Sequence, residues 1–399
     1  MGVLSSRINR IQPSATLEMT AKAADLKRKG KPVYNLSVGE PDFPTPKNIQ
    51  QAGIFAIQNG HTKYTPGSGT HDLKQAIIKK LKRDNNLTYK LNEIVVSCGG
   101  KHSLYNACQA LFQKPDEVII FSPYWVSFPD FVSVTGAKPV FVKTDNSKQF
   151  EPNFNDLESK ITPNTKGIII NSPSNPTGGV WSKEACLKVL DICKNRKDIW
   201  IFSDECYEQL TYNKPFQSIA SLTSQNQNII TFQSCSKTYA MTGWRIGYIG
   251  GNKEIVKAVS KLQGQSTSCP NSIAQYAAIE ALTGNQSCVK EMREIFLSRR
   301  NLMLEKLKKI PNVFCEKPNG AFYVFPNFMH YVGLKTPKGR AVKNSNDLCS
   351  YILSTTGVVS VSGDSFGSPG YIRFSYAASD QIIKESMDLV KNTIANLSF

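Results

Sequence analysis

Between residues 93 and 250, short apolar runs rich in Val, Ile and Phe alternate with stretches whose apolar residues recur three and four positions apart. The runs at 93–97, 117–121, 139–142, 167–171, 199–203, 229–233 and 244–250 are mostly unbroken, as expected for strands buried on both faces of a mostly parallel sheet. The stretches 101–112 and 183–194 have helical spacing, and in the second Ala185, Leu187, Val189, Leu190 and Ile192 supply one apolar face. Strands alternating with helices predict an α/β domain with seven candidate strands. Beyond about Gly284 the pattern changes. A long charged helix, 288–310, precedes short strand-like pieces at 320–325, 358–362 and 371–376, and an amphipathic helix from Ser379 closes the chain. This predicts a smaller α+β domain, in which the Gly-, Lys- and Pro-containing loop 332–346 reads as a surface insertion.

Composition narrows the function classes. The 399 residues are 40% hydrophobic and 20% charged, which excludes collagen, coiled coil and wholesale disorder. No apolar run approaches the ~18–20 residues that span a bilayer, and the opening Met-Gly-Val-Leu-Ser-Ser-Arg lacks the apolar region of a signal peptide. A soluble, cytoplasmic protein is expected. Lys+Arg 48 against Asp+Glu 31 gives a net charge of +17, which raises nucleic acid as a partner. The basic residues, however, fall on helical segments such as Lys79-Lys80-Leu81-Lys82-Arg83 and Lys306-Leu307-Lys308-Lys309, the pattern of solvated helix faces. No aromatic RNA-binding motif, zinc finger or recognition helix accompanies them, so attraction of small anionic substrates is the better use of the charge. Ten cysteines without a C-x-x-C pair, and four histidines without H-E-x-x-H, predict free thiols and no metal site.

Four clusters lie where the predicted strands end, the place where an open α/β sheet binds its ligands. Val95-Val96-Ser97-Cys98-Gly99-Gly100-Lys101 leads from a strand into a helix, where Gly99 and Gly100 allow backbone N–H groups to approach a phosphate. A tight turn explains it equally well. Ile199-Trp200-Ile201-Phe202-Ser203-Asp204-Glu205 ends a buried strand in a carboxylate, which is either functional or a cap. Ser234-Cys235-Ser236-Lys237 places a lysine beside two hydroxyls directly after a strand, with Arg245 eight residues on. Asn171-Ser172-Pro173-Ser174-Asn175-Pro176-Thr177-Gly178-Gly179 is a rigid turn that can present Asn175 inward. Together they ask for a ligand with a phosphate, a carbonyl for the lysine and a basic ring nitrogen for the aspartate. Pyridoxal phosphate has all three. Nicotinamide fits less well, because no G-x-G-x-x-G stands at a strand–helix turn.

Ser234-Cys235-Ser236-Lys237 followed by Met241-Thr242-Gly243-Trp244-Arg245 resembles the cofactor-lysine signature of class I aminotransferases of fold type I. The likeness runs from Gln12-Pro13-Ser14-Ala15-Thr16 through Val38-Gly39-Glu40-Pro41-Asp42-Phe43, Tyr64-Thr65-Pro66-Gly67-Ser68-Gly69, Ser122-Pro123-Tyr124-Trp125 and Ser203-Asp204-Glu205-Cys206-Tyr207-Glu208 to Ile372-Arg373-Phe374-Ser375-Tyr376. It is most similar to the bacterial-type aspartate aminotransferases and their aspartate–prephenate relatives.

The resemblance implies a large domain, 48–287, with a mostly parallel seven-stranded sheet flanked by helices, and a small α+β domain of 1–47 and 288–399. It implies pyridoxal 5′-phosphate on Lys237, which then moves the proton, with Asp204 on the ring nitrogen and Tyr207 and Asn175 on the phenolic oxygen. Trp125 would stack on the ring. Gly99, Gly100, Lys101, Ser234 and Arg245 would hold the phosphate, with Tyr64 reaching in from a second subunit of a homodimer. Arg373, Gly39 and Asn175 would bind the α-carboxylate, and Lys101 beside Trp125 the side-chain carboxylate, unless Lys101 only closes the phosphate cradle. The implied reaction is ping-pong transfer from L-aspartate to 2-oxoglutarate; prephenate or aromatic acids, with Thr70 and Lys101 accommodating larger dicarboxylates, are the alternative. Fold type I modules also occur as sensors fused to DNA-binding domains, but here the likeness begins within the first twenty residues. Cys206 and Cys235 depart from the usual pattern and are expected to pack outside the chemistry.

Overall fold

Apolar residues in the central runs alternate between two cores. Ile119, Phe121, Ile168, Ile170 and Ile201 belong to one buried cluster, and Val118, Ile120, Ile169, Phe202 and Phe232 to another. Both faces of the sheet are therefore covered, which is why these strands carry no polar alternation. The computed structural model describes residues 4–11, 15–224 and 228–399, with backbone alone for 15–18 and 20, so Gln12-Pro13-Ser14 of the predicted motif lies outside the described residues.

The strands are β1 (Tyr34–Asn35), β2 (Ile94–Ser97), β3 (Glu117–Ser122), β4 (Lys138–Asp145), β5 (Glu151–Pro152), β6 (Thr165–Asn171), β7 (Trp200–Asp204), β8 (Ile229–Ser234), β9 (Gly247–Gly250), β10 (Tyr323–Val324), β11 (Val358–Val359), β12 (Val361–Ser362) and β13 (Ile372–Ser375). The main sheet has the order β2-β9-β8-β7-β6-β3-β4-β5. Strands β8, β7, β6, β3 and β4 run parallel, while β9 is antiparallel to both its neighbours. The sheet thus has eight strands where seven are expected: β5 adds two residues antiparallel to the end of β4, too few for any periodicity to register.

The expected strand at 244–250 also starts late. Thr242–Trp244 forms a 3-10 turn and Arg245 takes a left-handed conformation, φ 59°, before β9 begins. A smaller three-stranded sheet, β10-β13-β12, packs with the long helix Ser287–Lys308 and the final helix Asp380–Ile394 around a third core containing Phe296, Phe322, Tyr323, Phe374 and Val390. Ser379 caps the final helix by accepting from the Ile382 N–H. The loop 332–346 is more than surface: Leu334, Thr336, Val342 and Ser345 are buried, although its tip, 337–340, and several residues on either side of it are exposed.

The basic run on the helix His71–Asn85 departs from the expected solvated face. Lys79, Lys82 and Arg83 are exposed, but Lys80 is 2% exposed. Its Nζ donates to Glu208 Oε1 at 2.5 Å, Gln233 Oε1 at 2.7 Å and Asn85 Oδ1 at 2.8 Å. A buried ammonium is tolerable because all three of its donors are used, one of them on a carboxylate. The ten cysteines are free. Among the described residues no helix is long and apolar enough to cross a membrane.

Candidate active site

Parallel register brings the ends of three strands to one edge, with Asn171 opposite Asp204 and Asp204 opposite Phe232. Ser234 and Ser97 each stand opposite Gly247 across β9. Their loops surround a cavity of about 270 Å³ lined by residues of all four predicted clusters, Asn175, Asp204, Tyr207, Ser234, Lys237 and Arg245 among them. Gly39, Gly100, Lys101 and Trp125 also line it. Gly99 and Arg373 are not among the lining residues, but Gly99 packs against Arg245 and Arg373 donates to Asn175, both of which are.

Lys237 follows β8 in the short helix Cys235–Thr238, which turns its side chain back over the strand ends. Its Nζ donates to the Gly39 carbonyl at 2.5 Å. Enclosure by protein on every side but the cavity lowers its proton affinity, and Arg245 and Arg373 act in the same direction. Asp204 is 4% exposed. Burial pushes its carboxyl up to about 7, against the opposing pull of the Cys206 N–H, which donates to it at 3.3 Å, and of Lys237. Among the described residues no cation forms an ion pair with it, so it is a carboxylate that gains from a positively charged ligand.

The phosphate end is built from backbone. The helix Gly100–Leu111 has no side-chain cap; the His102 and Ser103 N–H groups donate to the Gly99 carbonyl, which leaves those of Gly100 and Lys101, both lining residues, for a ligand. Gly99 has φ +90°, and a Cβ there would fall 2.4 Å from Arg245 Nη2, so the arginine occupies the space that a side chain would take. Gly247 lies so close beneath that a Cβ would overlap the Gly100 nitrogen. Arg245 is itself fixed by donation to the Thr242 carbonyl at 2.7 Å. Lys101 places its ammonium 4.9 Å from the Trp125 ring centre, and burial together with Arg245 lowers its proton affinity.

At the opposite wall Arg373 is 2% exposed. Its Nη1 donates to Asn175 Oδ1 at 2.9 Å and its Nη2 to the Ser37 carbonyl at 2.5 Å. Its Nε is buried without a partner. Asn175 is held in turn, its N–H donating to Asn171 Oδ1 at 2.8 Å. Because its Oδ1 serves Arg373, its amide NH₂ is the end left for a ligand oxygen. The Tyr207 hydroxyl lies 2.9 Å from that of Tyr323, and burial raises its proton affinity well above the ordinary phenol.

Tyr64 is 89% exposed and does not line this subunit's own cavity; its expected place is in the site of a second subunit. Two expectations need correction. Thr70 caps the helix His71–Asn85, accepting from the Leu73 N–H, and is not part of the lining. Cys206 does line the cavity, since the turn after Asp204 aims it there; burial and Asp204 raise its thiol, which keeps it protonated. Cys235 is buried as expected and pushed up to about 12 by burial. Tyr323, Asn171 and Leu104 line the cavity although no role was read for them from the sequence. A single tyrosine inside an apolar strand carries no local signal that separates it from core.

Residues 31–388 match the family described as aminotransferase class I and II. The chain is 42% identical over 396 residues to the aspartate aminotransferase of Rhizobium meliloti (strain 1021), covering 99% of this chain and 97% of that protein. It is 41% identical to a probable aspartate/prephenate aminotransferase of Rhizobium leguminosarum bv. phaseoli, covering 97% of each. The crystal structure of the aspartate aminotransferase from Rhizobium meliloti superposes with a TM-score of 0.96 at 41% identity over the whole of both chains. That of Thermus thermophilus with maleate gives 0.93 at 36% identity over 98% of this chain and all of the other. With the family matched over most of the chain and a cavity that unites Lys237, Asp204 and Arg245, this protein belongs to the class I and II aminotransferases.

Proposed function

We propose that the chain is a pyridoxal 5′-phosphate-dependent aminotransferase that passes the amino group of L-aspartate to 2-oxoglutarate in two half-reactions. The observation that carries the reading is the single cavity that opposes a lysine of lowered proton affinity, Lys237, to a buried carboxyl with no ion pair among the described residues, Asp204. The residues fit the cofactor. The uncapped helix start at Gly100, with Ser234 and Arg245, suits its phosphate; Asp204 suits its ring nitrogen; Trp125 offers a face for its ring. When bound, the cofactor supplies an aldehyde that an amine can capture and a protonated ring that draws electrons from the substrate Cα.

The protein does the rest. Burial favours the neutral form of Lys237, which would serve first as the amine that holds the cofactor and then as the base that moves the Cα proton. Asp204 keeps the ring nitrogen protonated, and Tyr207 and the Asn175 amide donate to the phenolic oxygen. Arg373, which meets the lining through Asn175 and Tyr323, would exchange its present acceptors for the α-carboxylate and hold it as a planar fork. Lys101 meets the distal carboxylate, in keeping with a solved relative described with maleate, itself a dicarboxylate. Prephenate as the amino acceptor is the second reading, favoured by relatives described as aspartate/prephenate enzymes.

Exposed Ile54, Phe55 and Ile57 on the helix Lys47–Gln58, together with exposed Tyr64, suit a homodimer in which Tyr64 completes the phosphate site of the second copy. The large cofactor domain would comprise 48–287 and the small domain 1–47 with 288–399. The test is the absorbance of purified protein before and after excess L-aspartate without any keto acid. Loss of the lysine-bound cofactor band and growth of the aminated cofactor band are expected. An unchanged band refutes aspartate as donor, and no band after adding the cofactor refutes the role of Lys237. Running the return half-reaction with 2-oxoglutarate or prephenate separates the two acceptors.

A further inference from the structure

Tyr323 faces the cavity and has no part in the reading above. It is fully buried on β10, opposite Ser375 of β13. Arg373 lies two residues from Ser375 and so on the same face of the sheet, in diagonal contact with Tyr323. The guanidinium carbon stands 4.6 Å from the Tyr323 ring centre and 5.1 Å from that of Phe366, so two aromatic rings flank it. The far end of the same side chain reaches the Tyr207 hydroxyl at 2.9 Å. A Cβ on Gly39 would fall 2.9 Å from the Tyr323 oxygen. The glycine whose carbonyl receives Lys237 therefore also leaves room for this phenol.

We propose that Tyr323 is a positioning residue: its ring holds the Arg373 fork in place, and its hydroxyl donates to Tyr207 so that the Tyr207 proton points at the ligand oxygen. A phenol that donates its proton outward keeps its oxygen free to accept, and the donor within reach of Tyr207 is Tyr323. Donation in series strengthens each bond of the chain. The carboxylate site and the phenolic-oxygen site are thereby joined through one side chain. This rests on the cofactor reading and deepens it.

Holoenzymes of the native protein, Tyr323→Phe and Tyr323→Leu test it by absorbance titration of the bound cofactor and by steady-state kinetics. The charged and titratable groups facing Tyr207 are Tyr323, Cys206 and Arg373, and only the first changes. Weaker donation from Tyr207 lets the phenolic oxygen hold the shared lysine proton more firmly. Y323F is therefore expected to raise the titration midpoint by roughly 0.3–1 pH unit while KM for aspartate stays within about 2-fold. Y323L is expected to raise that midpoint as well, and KM by about 3–30-fold through loss of the ring over Arg373. A merely structural role would lower stability without moving the midpoint. A Y323F titration that overlays the native one refutes the hydroxyl relay, and a native KM in Y323L refutes the ring's role. A native protein with no titrating band refutes the cofactor reading and this proposal with it.

Discussion

Replacing Lys80 by Met leaves Glu208, 7% exposed, without its one close cation among the described residues. The size of the effect follows from what each partner keeps. Gln233 Oε1 still accepts from the Tyr248 hydroxyl at 3.0 Å, and Asn85 Oδ1 from Gln233 Nε2 at 3.2 Å, so neither amide oxygen is orphaned. Glu208 retains neutral donors in Asn85 Nδ2 at 3.3 Å and Gln209 Nε2 at 2.9 Å but loses its charge partner. The loss is therefore that of one side of a buried ion pair, about 3–5 kcal/mol. The double variant Lys80→Met with Glu208→Gln removes the orphan charge and is expected to recover most of it, to within about 1–2 kcal/mol of native. Urea unfolding of the two variants and the native protein, followed by tryptophan emission, measures both. If K80M is as stable as native, or the double variant is as weak as K80M, charge pairing does not set the cost. Neighbours of this network hold the site: Glu208 follows Tyr207 and Gln233 precedes Ser234, so K80M is also expected to weaken cofactor retention.

Asp204 sets a pH dependence in the cofactor-free protein. Its carboxyl, about 7 when folded against 3.8 when free, takes up protons more readily in the folded state. Native stability should therefore fall as pH rises from about 4 to 7, and cofactor-free Asp204→Asn should gain up to about 4 kcal/mol over native at pH 8 and little at pH 4. Thermal melts at the two pH values decide this; an equal gap at both would sink it. Lys101→Ala should raise KM for aspartate about 10–100-fold and leave alanine within about 3-fold, as steady-state kinetics with each donor will tell. Equal loss for both removes Lys101 from side-chain recognition. Tyr64→Ala should loosen the cofactor although Tyr64 is exposed in the subunit, by dialysis against buffer lacking it; unchanged retention removes Tyr64 from the shared site.

Much of this was legible in the chain because its signals are local. Strands buried on both faces must be unbroken apolar runs, and Asp204 and Lys237 each sit at the end of such a run, where a parallel sheet delivers side chains to one edge. The glycines at 99 and 100 mark close backbone approach within a few residues of each other. What the sequence could not show depends on partners far apart along it. Lys80 reads as one more basic residue on a helix, and only packing against Glu208, 128 positions away, makes it a buried ion. Tyr323 reads as strand core until its hydroxyl meets Tyr207, 116 positions away. Strand β5 exists because β4 offers it an edge, and Cys206 faces the cavity because of the turn after Asp204. Local spacing thus determined the sheet, the order of its strands along the chain and the chemistry at their ends, whereas pairings across more than a hundred residues were decided by tertiary packing alone, since the energy of a buried charge or phenol depends on what surrounds it.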